Sequence, residues 1–411
     1  MPLSFRPGPF ARNLMAYCLS EVAAKASRVL VVVAVARTMD ATAIGVAAAA
    51  LAGSDILKAL TENGAGQRII AASEEDLPGI CRTARRIFWS WCLGLFALQI
   101  ALGLGLWAAS GDAMLFVLVA ILAGEYLFMP AGLVNCALAM RAGKMRQTAS
   151  IAAGQVVGAN ALTALLAVVI AGPLALVLPR LLAAPIWLLA MRRLQPWTPV
   201  LAPPAPIGPF VRYGASVLGT EVVKALRLQA DKLVIAALMG AEALGIYFLA
   251  FNAGLGLATS FSQAFATVLF PHLCTASDRI AALRQALTLS LCILVPVVLL
   301  QALLVPVYVP ILFGDDWTGL APIVRILCLA AIPTIVWASA AGWLRAADRP
   351  EVEFALTLGM TAALIANTVL LAPYGLVAIA LGYLAVSAVA QIGGAAPVLL
   401  RAFLPAQPRF A

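Results

Sequence analysis

Residues 284–309 read RQALTLSLCILVPVVLLQALLVPVYV, with a single charge, Arg284, at the edge. A helix of about 20 apolar residues crosses the hydrocarbon core of a bilayer, so this run is long enough to span. A strand of a membrane barrel alternates polar and apolar positions, whereas Val295 to Leu304 does not, and neither does Ala47 to Ala52. The segment therefore reads as a transmembrane helix. Eleven more apolar segments lie at 13–37, 41–62, 87–110, 113–138, 149–171, 174–194, 214–239, 243–270, 320–343, 353–372 and 376–401. The expected fold class is an all-α polytopic membrane protein with about 12 transmembrane helices.

Composition agrees. The chain of 411 residues is 63% hydrophobic and only 11% charged, with a mean hydropathy of +1.01, whereas a soluble domain carries roughly a quarter charged residues. Twelve spans of about 22 residues leave no room for a sizeable soluble domain. Arg6 and Arg12 before the first apolar run give it the look of a signal peptide, but Glu21, Lys25 and Arg28 lie inside it, and a retained first span is the better reading. The cysteines are scattered, form no Cys-x-x-Cys pair, and read as packing residues.

Loops on the cytoplasmic face collect Lys and Arg. With a cytoplasmic N-terminus, 18 of the 27 basic residues fall on that face, and the opposite face receives only Arg37, beside Asp40, Asp112, Glu242, Asp315 and Asp316. Both termini are thus expected in the cytoplasm. The net charge of +9 is mostly topology. Its dispersal over short loops excludes a nucleic-acid partner.

Eight basic residues remain inside the spans: Lys25, Arg28, Lys58, Arg180, Lys224, Arg227, Lys232 and Arg325. Each would cost at least about 2.5 kcal/mol near the centre of a lipid-facing helix, so such residues face protein or a watery cavity unless they snorkel from a span end. Lys58, Lys232 and Arg325 are open to either reading. Glu21, Lys25 and Arg28 fall within about 60° of arc on the first helix, and Glu221, Lys224, Arg227 and Asp231 within about 120° on the seventh. The offsets between the two sets are 200, 199 and 199 residues, which points to duplication. Six spans per half make the halves parallel repeats, with expected boundaries at 1–195 for the N-terminal lobe and 210–411 for the C-terminal lobe. Between them, residues 196–209 hold six prolines and read as a stiff extended linker about which the lobes rock. Neighbouring acids and bases within each stripe could merely neutralise one another for insertion, but Arg28 and Arg227 leave surplus positive charge, which favours lining a cavity.

Several motifs resemble a known family. Asp231-Lys232-Leu233-Val234-Ile235, Leu244-Gly245-Ile246-Tyr247, Leu269-Phe270-Pro271 and Phe313-Gly314-Asp315-Asp316-Trp317 resemble the polysaccharide transporter family, O-antigen flippases included, of the multidrug/oligosaccharidyl-lipid/polysaccharide exporter superfamily. Ala36-Arg37, Ile44-Gly45 and Glu62-Asn63-Gly64-Ala65-Gly66-Gln67 are similar to its opening pattern. The resemblance implies two six-helix lobes around a central cavity, in a protein of the bacterial inner membrane that is not an enzyme and has no cofactor. It implies a flippase for a polyprenyl-pyrophosphate-linked oligosaccharide, namely an O-antigen, capsule or exopolysaccharide repeat unit. Cycling would be driven by an ion gradient, and membrane lipids, a polysaccharide polymerase and chain-length machinery would be the partners.

The residues fit that implication. A pyrophosphate needs several cations in a partly dehydrated site, which Lys25, Arg28, Lys224 and Arg227 would supply. Arg180, between Pro179 and Pro185, either joins them or caps a broken helix. Glu21, Glu221 and Asp231 would balance charge or exchange protons, and Glu125, alone on its helix, is either a proton site or a buried pairing partner. His272, the only histidine, cannot build a His-based metal site and reads as a loop or cap residue. Asp315-Asp316 beside Trp317 reads as an interfacial turn with an aromatic anchor rather than a metal pair. Three rivals remain: a multidrug-type antiporter, whose cationic substrates the cavity would repel; a peptidoglycan lipid-precursor flippase; and a membrane-embedded enzyme acting on a polyprenyl-linked sugar, for which neither a long outer loop nor an acidic catalytic cluster is present.

Overall fold

A computed structural model describes residues 27–403 apart from 62–63, 200–201 and 348, and for some residues within these bounds, Lys224, Asp315 and Asp316 included, the backbone alone. The described residues are helical, without a β-strand. In chain order the helices are α1 (27–38), α2 (Ala41–Ala59), α3 (Ala65–Ile70), α4 (Leu77–Ser110), α5 (Ala113–Ala123), α6 (Glu125–Phe128), α7 (Pro130–Arg141) and α8 (Met145–Ile170). They continue as α9 (Leu174–Leu194), α10 (Gly208–Thr275), α11 (Arg279–Phe313), α12 (Ala321–Leu329), α13 (Ala331–Ala346), α14 (Pro350–Leu371), α15 (Leu376–Ser387) and α16 (Gly393–Phe403). Aspartates at the starts of α2, α5 and α11 accept from first-turn amides, as in Ala43 N to Asp40 Oδ1 at 2.7 Å, satisfying donors that a helix start leaves open. α10 is broken at Gly240, whose φ of 86° and ψ of 178° are open to glycine alone at little cost.

Among the described residues, nine helices are long and apolar enough to cross a membrane, or ten when the pair bent by 51° at Met129 counts as one span. Dividing α10 at Gly240 and adding α1 gives the twelve apolar segments expected. Their outward faces carry Leu303 at 66%, Ile311 at 66% and Val169 at 71% exposure, contacts that only lipid can satisfy.

Two compact units form. One holds Thr38–Gly245; the other holds the described part of the chain up to Arg37 together with Ile246 onward. The expected boundaries at 1–195 and 210–411 therefore differ from the contact units, which assign α1 to the second half's unit and the start of α10 to the first half's. The Thr38–Gly245 unit is centred on α2, whose Ile44, Ala47, Ala48, Ala50 and Ala52 are buried. In the other unit, α12 and α13 form the centre, with Val324, Leu327, Ile335 and Ala340 inaccessible.

The repeat shows itself in packing. A Cβ on Gly45 would lie 1.6 Å from the carbonyl oxygen of Ala241, and one on Gly245 would lie 1.9 Å from that of Ala41. The two glycines, like the two alanines, lie 200 residues apart, so the crossing is reciprocal, and only hydrogen fits at either glycine. Small residues permit this backbone approach, the main source of helix association in lipid. Gly45→Val is expected to lower the thermal midpoint of the purified protein sharply, whereas Gly53→Val, at a position with open space, leaves it nearly unchanged. Equal midpoints would overturn this account.

The proline-rich segment is not a free hinge. Arg82 Nη1 donates to Ala202 O at 2.5 Å, Thr83 Oγ1 to Ala205 O at 2.9 Å and Ala205 N to Gly79 O at 3.3 Å. Asn135 Nδ2 and Lys144 Nζ hold the carbonyls of Gln195 and Leu194, at 2.8 and 2.9 Å. Prolines lack the amide to form a helix, but their neighbours' carbonyls are open to tertiary donors. These bind the described part of 196–209 to α4 and α7 inside one unit.

Candidate functional site

The apolar sequence of α2 is interrupted by Asp55 and Lys58, which at i and i+3 share a face. Asp55 accepts from Arg180 Nη1 at 2.5 Å, from Arg180 Nη2 at 3.4 Å and from Gln229 Nε2 at 3.0 Å, joining α2, α9 and α10. Both side chains of the pair are about a third accessible or less, at 32% for Arg180 and 28% for Asp55. The two-pronged geometry suits a guanidinium on a carboxylate, which satisfies the charges together. Lys58 Nζ bonds Glu125 Oε2, and Glu125 is only 7% accessible at its side chain. Glu125 lies on α6, one turn before the bend at Met129, beside the buried Tyr126.

Several sequence expectations take a definite form here. Glu125 is not an isolated acid: it is a buried pairing partner, because tertiary packing brings it against Lys58 of α2. Lys58 reaches inward to it rather than snorkelling. Arg180 caps no broken helix but is held by Asp55. The sequence signal for Asp55 and Gln229 is weak, since Asp55 belongs to neither charged stripe and Gln229 carries no charge. The lipid cost that singles out bases within spans, applied to acids, selects Asp55, a carboxylate inside an apolar helix.

On α10, Glu221 and Arg227 are half-buried and Asp231 is 8% exposed. Asp231 accepts from Lys232 N at 2.9 Å, and Lys232 Nζ lies 3.6 Å from the same carboxylate while donating to Leu228 O. Lys232 thus folds back on its own helix, whereas Arg325 is exposed near the start of α12. Lys224's side chain, and Glu21 and Lys25 entirely, lie outside the described residues.

In the other unit, Arg28 lines a cavity of about 380 Å³ with Val29 and Val32 of α1, Asn252 and Ala253 of α10, and Val297, Leu300, Gln301, Leu304 and Tyr308 of α11. The walls are mostly hydrocarbon. Gln301 spends its amide on Ala253 O at 2.9 Å, fixing α11 to α10. A guanidinium against an apolar cavity suits an amphiphile with an anionic group.

The remaining candidates are structural. His272 occupies the last turn of α10, and Trp317 donates its indole to Ala36 O at 2.9 Å, docking the turn at 315–320 on the end of α1. Beside it, Arg37 donates to the carbonyls of Leu312 and Ile311. Cys81, Cys92 and Cys328 are buried free thiols. No group of His, Cys, Asp and Glu suited to a metal occurs among the described residues.

A polytopic helical bundle with ion pairs inside its spans has the architecture of the membrane transporters. The chain belongs to the polysaccharide biosynthesis protein family, whose family model matches residues 34–322. It is 25% identical over 193 residues to the lipopolysaccharide biosynthesis protein WzxC of Escherichia coli (strain K12). That match covers 46% of this chain and 39% of WzxC, less than half of the relative's length. Its fold is similar to that of the lipid II flippase MurJ in an inward closed conformation, with a TM-score of 0.78 at 13% identity, covering 95% of this chain and 89% of that one. An inward-facing multidrug resistance transporter of the MATE family, in the MOP superfamily, aligns with a TM-score of 0.69 at 14% identity over 92% and 94% of the two chains. At such identities the likeness is one of fold. The family resemblance read from the motifs is borne out, and so is the all-α polytopic class.

Proposed function

We propose that this protein is a flippase moving a polyprenyl-diphosphate-linked oligosaccharide across the bacterial inner membrane by alternating access. The oligosaccharide is a repeat unit of O-antigen, capsule or exopolysaccharide. The observation that carries this reading is Arg28 on an apolar cavity of about 380 Å³ within the spans. Such a site offers a cation to a diphosphate and hydrocarbon to an isoprenoid tail. Arg227 and Arg180, with Lys25 and Lys224, are the other cations assigned to substrate in this proposal. A cationic drug would be repelled by such a set, which weighs against the multidrug reading despite the similar fold. The cytoplasmic side is assigned to the loops rich in arginine. Deleting the gene is expected to make a lipid-linked oligosaccharide accumulate on the cytoplasmic leaflet. Unchanged export with no accumulation would refute the proposal.

Coupling to an ion gradient follows from the pairs. An anionic substrate that draws Lys58 or Arg180 away would leave Glu125 or Asp55 without its cation, which links substrate binding to the charge on these acids. Glu21, Glu221 and Asp231, each within two helical turns of a Lys or Arg in the sequence, would balance charge in the same proposal. Glu125→Gln keeps an acceptor for Lys58 but cannot titrate, so reconstituted vesicles bearing it are expected to transport with reduced dependence on a proton gradient. Identical gradient dependence in wild type and variant would remove Glu125 from the coupling.

A further inference from the structure

The end of the Thr38–Gly245 unit at which α9 finishes carries a second cavity, of about 290 Å³. It is lined by the buried Pro130, Val134 and Asn135 of α7, by Trp89 of α4 and Trp197 of the proline-rich segment, and by the exposed Arg85 and Arg192. Arg85 and Trp89 are one helical turn apart on α4, while Arg192 lies in the last turn of α9. Tertiary structure alone brings the two guanidinium groups to one opening.

Three neighbouring basic side chains, Arg82, Lys144 and Arg141, are committed elsewhere. Arg82 holds Ala202 O, Lys144 holds Leu194 O and Gln195 Oε1, and Arg141 pairs with Glu74 at 2.6 Å. Arg85 and Arg192 are exposed, and among the described residues no carboxylate pairs with either. Two arginines without a carboxylate partner at one cavity form a site for a phosphate. The tryptophans set its depth, since their rings favour the headgroup level of a bilayer, and the site sits where apolar spans end.

The geometry points to a binding site for the phosphodiester headgroup of an anionic phospholipid, between α4, α7, α9 and the proline-rich segment. This site is separate from the Arg28 cavity and from the Asp55 cluster, and does not depend on what the protein transports. Because Trp197 and Thr198 belong to the segment itself, a bound headgroup would also fasten that segment to α4 and α9.

The test uses the full chain in nanodiscs of phosphatidylcholine with a minor fraction of phosphatidylglycerol, reading the phosphatidylglycerol retained on extraction by native mass spectrometry. R85Q/R192Q is compared with R86Q/R193Q, which removes the same charge from adjacent exposed residues that do not line the cavity. R85Q/R192Q is expected to weaken retention about tenfold relative to R86Q/R193Q, since it removes two directed charge-assisted contacts, and R85K/R192K to fall between. Equal loss in both double variants, or loss in neither, overturns the site and leaves a general surface field. In the wild type, a photoactivatable phosphatidylglycerol is expected to label peptides containing Trp89 and Trp197, and labelling elsewhere also overturns it. Inorganic phosphate that displaces the lipid at low millimolar concentration would assign the cavity to free phosphate and overturn the lipid assignment.

Discussion

Asp55→Leu is expected to destabilise the protein by about 3 kcal/mol, the low end of the range for breaking a buried pair, because both partners keep some access to water. The loss comes from what remains. Arg180, held among α2, α9 and α10, keeps its charge without the carboxylate that offsets it, and Gln229 loses an acceptor at 3.0 Å. Asp55→Leu/Arg180→Leu removes both charges and should recover most of the loss, since a well-packed apolar pair in the same place is often neutral or better. Thermal midpoints of the purified single and double variants decide this, and a double variant no more stable than Asp55→Leu would refute the account. Transport separates structure from function in the same pair: if Arg180 also holds substrate, the double variant folds but transports poorly.

Arg28→Ala and Arg227→Ala are each expected to abolish transport while folded protein remains in the membrane. Arg28 is exposed on α1 at the cavity, so its removal leaves no tightly packed void, yet takes a cation from the proposed diphosphate site. Arg227 is half-buried on α10, opposite in sequence to Arg28 across the repeat. Lysine at either position should retain partial transport, because it keeps the charge and loses the two-pronged donor geometry. Transport in vesicles, normalised to correctly folded protein, is the measurement. Disappearance of the protein itself in both alanine variants would mean that these arginines serve packing and insertion.

The sequence by itself determined the class of fold. Twelve apolar segments, a deficit of charge and arginine-rich loops have one solution in lipid, because every backbone amide in the bilayer core must be satisfied within a helix. It also picked out the ionisable residues within spans, Arg28, Lys58, Arg180, Arg227 and Lys232, since their cost in lipid does not depend on neighbours. The tertiary structure decided what those residues do. Periodicity places a side chain on a helix face but not opposite a partner, so Glu125 reads as solitary until packing sets it against Lys58, and Asp55 acquires meaning only against Arg180 and Gln229. The unit boundaries were hidden for the same reason. Proline content marks 196–209 as non-helical, but donors 120 or more residues away in sequence, Arg82 and Thr83, fix where that segment lies. The pairing of Gly45 with Ala241 and of Gly245 with Ala41 is likewise a fact of helix crossing, where contact depends on two backbones meeting rather than on either sequence alone.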